Sequence, residues 1–356
     1  MGRGGSEQFK AATSKAGRRQ GYKKGKPFPV VSTDVDPKIY DLGNLEKSGW
    51  VELGNYLNQR RQAFERGDYN PQPARLPNDD EVRIVIADIH GNYRNLYRLL
   101  LAAGALNRDG SRNPGFHVTQ VGDLLHLGHD TWEADQDTSL IGPDWIDCQL
   151  IGNHELPFIQ KRVESTFAGM HYQLEPGISQ RLNTNMRAGH YRAVAAIDGW
   201  LISHAGADPR LLRDQKLIHT PEDLDLLAER LEDLWIGRLT GSEDENPLTD
   251  WVGYHRGGNR HTGSLFWCSY PELMKGYNKM HGLQGQLQQI VGHTPRDRQP
   301  RNRNGIWNID LVGVDTGFVS ALIKTKDQED WQLNVLQRTV RPQSTIGKQV
   351  LPKDLR

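Results

Sequence analysis

Apolar and polar positions along this chain change their period sharply near residue 82. Before it, "GWVELGNYLNQRRQAFERG" places Val51, Leu53, Tyr56 and Leu57 at roughly helical spacing, which predicts a short helix. A Pro/Asn/Asp stretch, "DYNPQPARLPNDD" from Asp68 to Asp80, then reads as a linker. From Val82 the sequence reads strand, helix, strand. "VRIVIADIHGN" is a β-rich run closing in polar residues, "NLYRLLLAAGAL" repeats Leu96, Leu99, Leu100 and Ala103 at helical spacing, and "FHVTQVGDLL" is a second strand. Such a unit predicts a parallel pair with a helix crossing between its strands. "WIDCQLIGNHE" supplies a third apolar run, and "RAVAAIDGWLISHAG" joins two more through Asp198-Gly199, a hairpin signal. Further strands are expected at "LQQIVGHT", "LVGVDTG", "VSALIKTK" and "WQLNVLQR". Parallel units followed by hairpins predict an α/β fold of two packed sheets with outer helices.

Five of the apolar runs end in polar clusters that can do chemistry. These are "ADIHGN" with Asp88 and His90, "VGDLLHLG" with Asp123 and His126, "IGNHE" with Asn153 and His154, "ISHAG" with His204, and "VGHTP" with His293. Beyond the carboxyl ends of strands is where open α/β sheets bind ligands. Carboxylate, imidazole and amide oxygen together suit a borderline divalent metal such as Mn, Fe or Zn. Each cluster alone has an ordinary reading: a histidine after a strand is usually a hydrogen-bonded loop residue, and Gly-Asp and Gly-Asn are common turns. Five such ends, each carrying a ligand-competent residue, fit chance poorly. A cysteine-based zinc site is excluded, because Cys148 and Cys268 have no partner at ligand spacing.

Composition changes this picture little. The 356 residues carry 44 Lys/Arg and 44 Asp/Glu, so net charge points to no nucleic-acid or membrane partner. The charge is uneven, however. Residues 1–30 hold eight Lys/Arg against the single acid Glu7, with no apolar period, and are expected to be a disordered basic tail. The tail reads as a solubilising arm or as one that binds RNA, DNA or a partner. Two distant cysteines in a long chain indicate a reducing compartment, and cytoplasmic localisation is expected. No apolar run approaches the ~18 residues of a membrane span, and no secretory h-region follows the basic start.

The ordered set D-x-H-G, G-D-x-x, G-N-H-E, H-A-G and G-H-T resembles the calcineurin-like metallophosphoesterases. It is most similar to their phosphoprotein-phosphatase and diadenosine-tetraphosphatase branch, and "VDTG" (Val314 to Gly317) is similar to a D-T-G of bacterial members. The resemblance covers about Val82 to Lys324. It implies a four-layer α-β-β-α sandwich with two mixed sheets, and a metallophosphoesterase domain over 81–338. An extension and linker (31–80) would precede it and a tail (339–356) follow.

The resemblance further implies a hydrolase with two divalent ions, manganese first and iron, zinc or nickel as alternatives. Asp88, His90 and Asp123 would hold one ion, and Asp123, Asn153, His204 and His293 the other. A hydroxide bridging the ions would attack a phosphomonoester, as in protein Ser/Thr phosphatases, and His154 would protonate the leaving alkoxide. Glu155 is expected beside the site or at a helix N-terminus, outside the ligand set. The expected partner is a phosphorylated protein or nucleotide. The alternatives are a dinucleoside-polyphosphate or nucleic-acid-end phosphohydrolase, or a binding module without catalysis.

The chain departs from the family where phosphate is gripped. In "GDLLHLG" His126 and Leu127 replace the Asp and Arg of D-R-G, and Ile151 stands where an arginine precedes G-N-H-E. Trp267 is followed by Ser269 rather than by the arginine of a W-x-R pattern, while "LWIGR" offers Arg238 one residue late. Paired arginine and phosphate interact strongly, so other cations are expected to take this role. The candidates are Arg256 and Arg260 in "YHRGGNRHTG", Arg238, and the arginine run "RDRQPRNRNG" after the G-H-T motif.

Overall fold

Alternation along the strands assigns each side chain to one of two layers. In β2 (Val82–Ile86), Ile84 and Ile86 pack with helices, whereas Val85 packs with residues of a second sheet. β7 (Trp200–Ser203) in that second sheet repeats the rule: Leu201 meets helices and Ile202 meets the first sheet. The resulting inter-sheet layer includes Val85, Val121, Leu150, Ile202, Ile290, Trp307 and Leu322. Burying both faces of both sheets gives the four layers the sequence implies.

The structure is a computed structural model and describes residues 38–41, 49–125, 132–159, 176–217, 224–280, 287–295, 301–311, 318–328 and 330–337. The first sheet runs in the order β1-β12-β11-β2-β3-β4-β5. Its remaining strands are β1 (Lys38–Asp41), β3 (Phe116–Gln120), β4 (Cys148–Leu150), β5 (Tyr191–Arg192), β11 (Phe318–Lys324) and β12 (Gln332–Gln337). β2 through β5 are mutually parallel, while β11 is antiparallel to β2. The second sheet runs β6-β7-β8-β10-β9, with β6 (Val194–Ile197), β8 (Gln288–Val291), β9 (Arg301–Arg303) and β10 (Ile306–Asn308). Here β7, β8 and β10 are parallel neighbours. Four parallel neighbours in the first sheet and three in the second therefore run alike within each sheet.

The chain passes between sheets at Ala193. Glu232, on α7 (Leu224–Thr240), accepts from the backbone N–H groups of Ala193 (2.8 Å) and Val194 (3.4 Å), so the crossing leaves neither donor unsatisfied. The Asp198-Gly199 turn joins β6 to β7 with φ of 50° and 79°, the left-handed pair a two-residue hairpin demands. A second hairpin joins β9 to β10 through Asn304 and Gly305, again with positive φ. Part of the arginine run offered as a source of cations is therefore an edge strand; its residues 296–300, and the "VDTG" segment, lie outside the described residues.

The segment expected as an extension packs onto the sandwich. In α1 (Gly49–Arg66), Leu53 and Leu57 are buried in the main core. Tyr56 stacks on Trp145 at 5.7 Å and donates to Asp144 at 2.6 Å, both in α3 (Trp132–Trp145). The Pro-rich stretch behaves as a strap, its Ala74 and Arg75 N–H groups bonded to Gly189 and Asp147 carbonyls. Among the described residues, no helix is long and apolar enough to cross a membrane. Cys148 and Cys268 are buried and unpaired.

Candidate metal centre

The loops after β2 and β3 are stitched together before any ligand is considered. Ile89 and His90 donate backbone N–H groups to the Asp123 carbonyl, and Gly91 donates to that of Leu124. His90 and Asp123 both adopt positive φ, 50° and 52°, which is uncommon outside glycine and turns each side chain away from a regular strand direction. Asp88, on the β2 side, accepts the His293 N–H through Oδ2 at 2.9 Å, tying the first sheet to the end of β8. That approach requires Gly292, since a Cβ there would lie 2.0 Å from Asp88 Oδ1.

Asp123 is positioned by the G-N-H-E loop after β4. Its Oδ1 accepts the His154 N–H at 2.9 Å, and its own N–H donates to Glu155 Oε2 at 2.9 Å. Glu155 also accepts from Gly152 at 2.8 Å and, through Oε1, from Leu125 at 3.1 Å. One buried carboxylate thus satisfies three backbone donors from two loops. Gly152 has no room for a side chain, because a Cβ would lie 2.1 Å from both the N and Oδ1 of Asp123. Behind the loop, the Gln120 side chain accepts from the Gly122 N–H at 3.0 Å and donates to the carbonyls of Gly122 and Ala87.

His204 follows β7 and is fully buried. Its Nδ1 donates to the Val121 carbonyl at 3.2 Å, so in the neutral ring Nε2 presents a lone pair. Around that atom lie Asn153 Oδ1 at 2.9 Å, His293 Nδ1 at 3.0 Å and Asp123 Oδ2 at 3.4 Å. Electron-pair donors crowd one point there. A second group gathers Asp123 with His90 and His154, whose ligand atoms lie within 4.8 Å of one another. Asp88 Oδ2 is 4.0 Å from His90 Nε2, and His154 Nε2 is 3.7 Å from Asp123 Oδ2.

Electrostatics call for cations at this place. Burial, then the charges of Asp310 and Asp123, push the Asp88 carboxyl well above its ordinary range. Burial and Asp123 raise Asp310 to about 8 and Glu155 to about 7. Burial would raise Asp123 as well, but the imidazoles of His154, His204 and His90 outweigh it and hold that carboxyl well below normal. Burial and the Arg256 charge keep His293 neutral, the protonation state of a metal ligand. Among the described residues, Asp88 Oδ1, Asp310 Oδ2 and His293 Nε2 are buried without hydrogen-bond partners. Buried polar atoms are normally satisfied, so this cluster fits divalent ions by the chemistry of its donors.

All six sequence-derived ligand candidates, Asp88, His90, Asp123, Asn153, His204 and His293, come together here, with His154 among them. The phosphate-binding candidates separate. Arg256, in a short 3-10 helix (Tyr254–Arg256), reaches the centre: its Nη2 donates to the His293 carbonyl at 2.5 Å and lies 3.3 Å from Thr294 Oγ1. Arg260 instead lies over the Trp251 ring at 4.8 Å and pairs loosely with Glu245, and Arg238 donates to Asp250 at 2.7 Å. Ile151 is fully buried in the core, so its position offers the site no cation. His126 lies outside the described residues.

Asp310, two residues past the end of β10, had no place among the candidates. The signal was available, since "GIWNID" is one more apolar run closing in a carboxylate. Gln120, a polar residue inside a strand, gave no sign of its role.

No family model matches the chain, and no curated protein matches it. It is similar to several solved structures. With a candidate diadenosine tetraphosphatase it shares 15% identity over 76% of this chain and 100% of the other, at a TM-score of 0.43. With a cold-active protein tyrosine phosphatase it shares 14% identity over 73% and 81%, at 0.45. A protein serine/threonine phosphatase from Saccharomyces cerevisiae gives 14% over 83% and 90%, at 0.44.

Proposed function

We propose that this chain is a metal-dependent phosphoesterase that hydrolyses a phosphomonoester. Asp88, His90 and Asp123 would hold one divalent ion, and Asp123, Asn153, His204 and His293 a second, with manganese the leading candidate. The observation that carries this reading is the convergence of Asn153 Oδ1, His293 Nδ1 and Asp123 Oδ2 on His204 Nε2, all within 3.4 Å. Paired ions at such a place neutralise phosphoryl oxygens and lower the pKa of water enough to make it a nucleophile.

The chain's own groups supply the rest. Glu155 and the His154 N–H hold Asp123 in one orientation, which keeps the two halves of the site in register. His154, whose Nε2 lies 3.7 Å from Asp123 Oδ2, would be the group that gives a proton to the departing oxygen. Arg256 takes the place of the family's missing arginines. Its Nη2 is fixed on the His293 carbonyl, while its buried Nε has no protein partner among the described residues and suits a phosphoryl oxygen. Residues 81–338 would carry this chemistry, in a reducing, cytoplasmic setting that suits two buried free thiols.

The test is hydrolysis of a generic aryl phosphate by purified protein with Mn²⁺ or with chelator. Activity is expected only with metal, and Asp123→Asn should lower it by about a hundredfold or more, since the ions contribute several kcal/mol of charge stabilisation. A folded Asp123→Asn protein as active as wild type would overturn the assignment.

A further inference from the structure

The turn that carries His293 has a backbone conformation that needs outside support. Thr294 donates its N–H to the Gly292 carbonyl at 2.7 Å, and His293 between them sits at φ 65°. A three-residue hydrogen bond with positive φ at its centre is the rare, strained form of the γ-turn. A residue other than glycine stays in such a conformation only where its surroundings over-determine it.

Those surroundings come from four separate elements. The His293 N–H donates to Asp88 Oδ2 at 2.9 Å, beyond β2, and the His293 carbonyl accepts from Arg256 Nη2. The Thr294 hydroxyl oxygen accepts the Tyr270 N–H at 2.9 Å, at the start of α9 (Tyr270–Lys279). The Thr294 carbonyl accepts from Asn308 Nδ2 at 2.9 Å. Asn308 ends β10, lies opposite Val291 of β8 in the parallel register, and is fully buried. Its Oδ1 accepts the Asp310 N–H at 3.2 Å, so both ends of this buried amide are spent on fixing main chain.

Asp88 and Arg256 already have roles at the centre; Thr294 and Asn308 have none. What these two share is the residue directly after His293. That turn fixes the direction of the His293 side chain, whose Nδ1 lies 3.0 Å from His204 Nε2. Released from its outer holds, the turn would relax toward negative φ and swing the ring away from His204. We propose that Thr294 and Asn308 are positioning residues for His293, holding its strained turn so that Nδ1 stays in the ligand set of the second ion. This rests on the two-ion reading of the site.

The test is calorimetric titration of Mn²⁺ into the metal-free full chain, with electron paramagnetic resonance to follow the coupling between paired ions. Thr294→Val keeps the shape and removes the oxygen, Thr294→Ser restores it, and Asn308→Ala removes the second hold. Thr294→Val and Asn308→Ala are each expected to weaken one of the two binding steps by about 10- to 100-fold, as groups that orient metal ligands do. The coupled-pair spectrum should then appear only at correspondingly higher Mn²⁺, while Thr294→Ser behaves as wild type. Leu53→Ala, a core truncation in α1, is the control for general loosening and should move neither step. Unchanged steps in Thr294→Val and Asn308→Ala, equal losses on both steps, or the same weakening in Leu53→Ala would each overturn the positioning role. So would a Thr294→Ser protein no better than Thr294→Val. A wild-type chain that takes up fewer than two Mn²⁺ would instead overturn the two-ion reading, and the positioning role with it.

Discussion

Glu155 is the residue whose removal tests the architecture of the site most directly. Its carboxylate satisfies the backbone N–H groups of Asp123, Leu125 and Gly152, all in a fully buried setting. Glu155→Ala strands three donors. Each costs about 1–3 kcal/mol when left unpaired, a gross penalty of roughly 3–9 kcal/mol. The space vacated is polar, and water entering it would recover part of this, so a net loss of about 3 kcal/mol is expected. Glu155→Gln keeps the shape and one acceptor oxygen but turns an amide NH₂ toward at least one donor, so roughly half that loss should follow.

The assay is urea unfolding of metal-free protein, read as a change in midpoint at constant slope. Because the same carboxylate orients Asp123, Mn²⁺ affinity should also weaken by about 10- to 100-fold, as for other groups that position metal ligands. A Glu155→Ala protein destabilised by less than about 1 kcal/mol, with unchanged metal affinity, would show that the loops hold their geometry without it.

Two further outcomes follow from the centre. His154→Ala should lower turnover of an alkyl phosphate by about 10²–10⁴-fold and affect nitrophenyl phosphate far less, because that leaving group departs without a proton; equal losses on both substrates would remove His154 as the acid. In metal-free protein, Glu155 and Asp310 have folded pKa values raised to about 7 and about 8. These two carboxyls keep protons that the unfolded chain has released, so their contribution to stability is lost as pH rises through about 7 and about 8. His293 and His190, held neutral in the fold, work the other way below about pH 6.5. The apo protein should therefore lose a few kcal/mol as pH rises from about 6.5 to about 8, and saturating Mn²⁺ should flatten the slope. A flat apo profile in thermal melts would contradict it.

The parts of this molecule that sequence made legible are those in which a local rule and the fold agree. The β2–α2–β3 unit, with α2 spanning Tyr93–Ala102, showed through its change of period, and the β6–β7 hairpin through Asp198-Gly199. The strand-end residues that gather at the candidate centre could be read because each is a compact polar cluster after an apolar run. The β9–β10 hairpin had an equally plain Asn-Gly signal, hidden in a run of arginines that pointed to phosphate binding instead. What stayed out of reach is what only packing decides. The helical period of α1 gave the helix, but the polar strap after it concealed that Leu53 and Leu57 belong to the core. Arg256 and Arg260 stand four residues apart on one loop with like chemistry, and nothing local tells which of them turns inward.

The single-residue crossing at Ala193 has a bearing on how this centre is controlled. Asp88, Asp123 and Asn153 belong to one sheet, His204 and His293 to the other, so an ion held by both sets is a rivet across the seam. The sheets are also joined covalently by a chain that changes layer without a slack loop. A small slide of one sheet on the other is therefore transmitted to the ligand geometry with little loss. Side chains of the inter-sheet layer such as Val85 and Trp307 set the spacing of that seam and so would tune the centre from within the core.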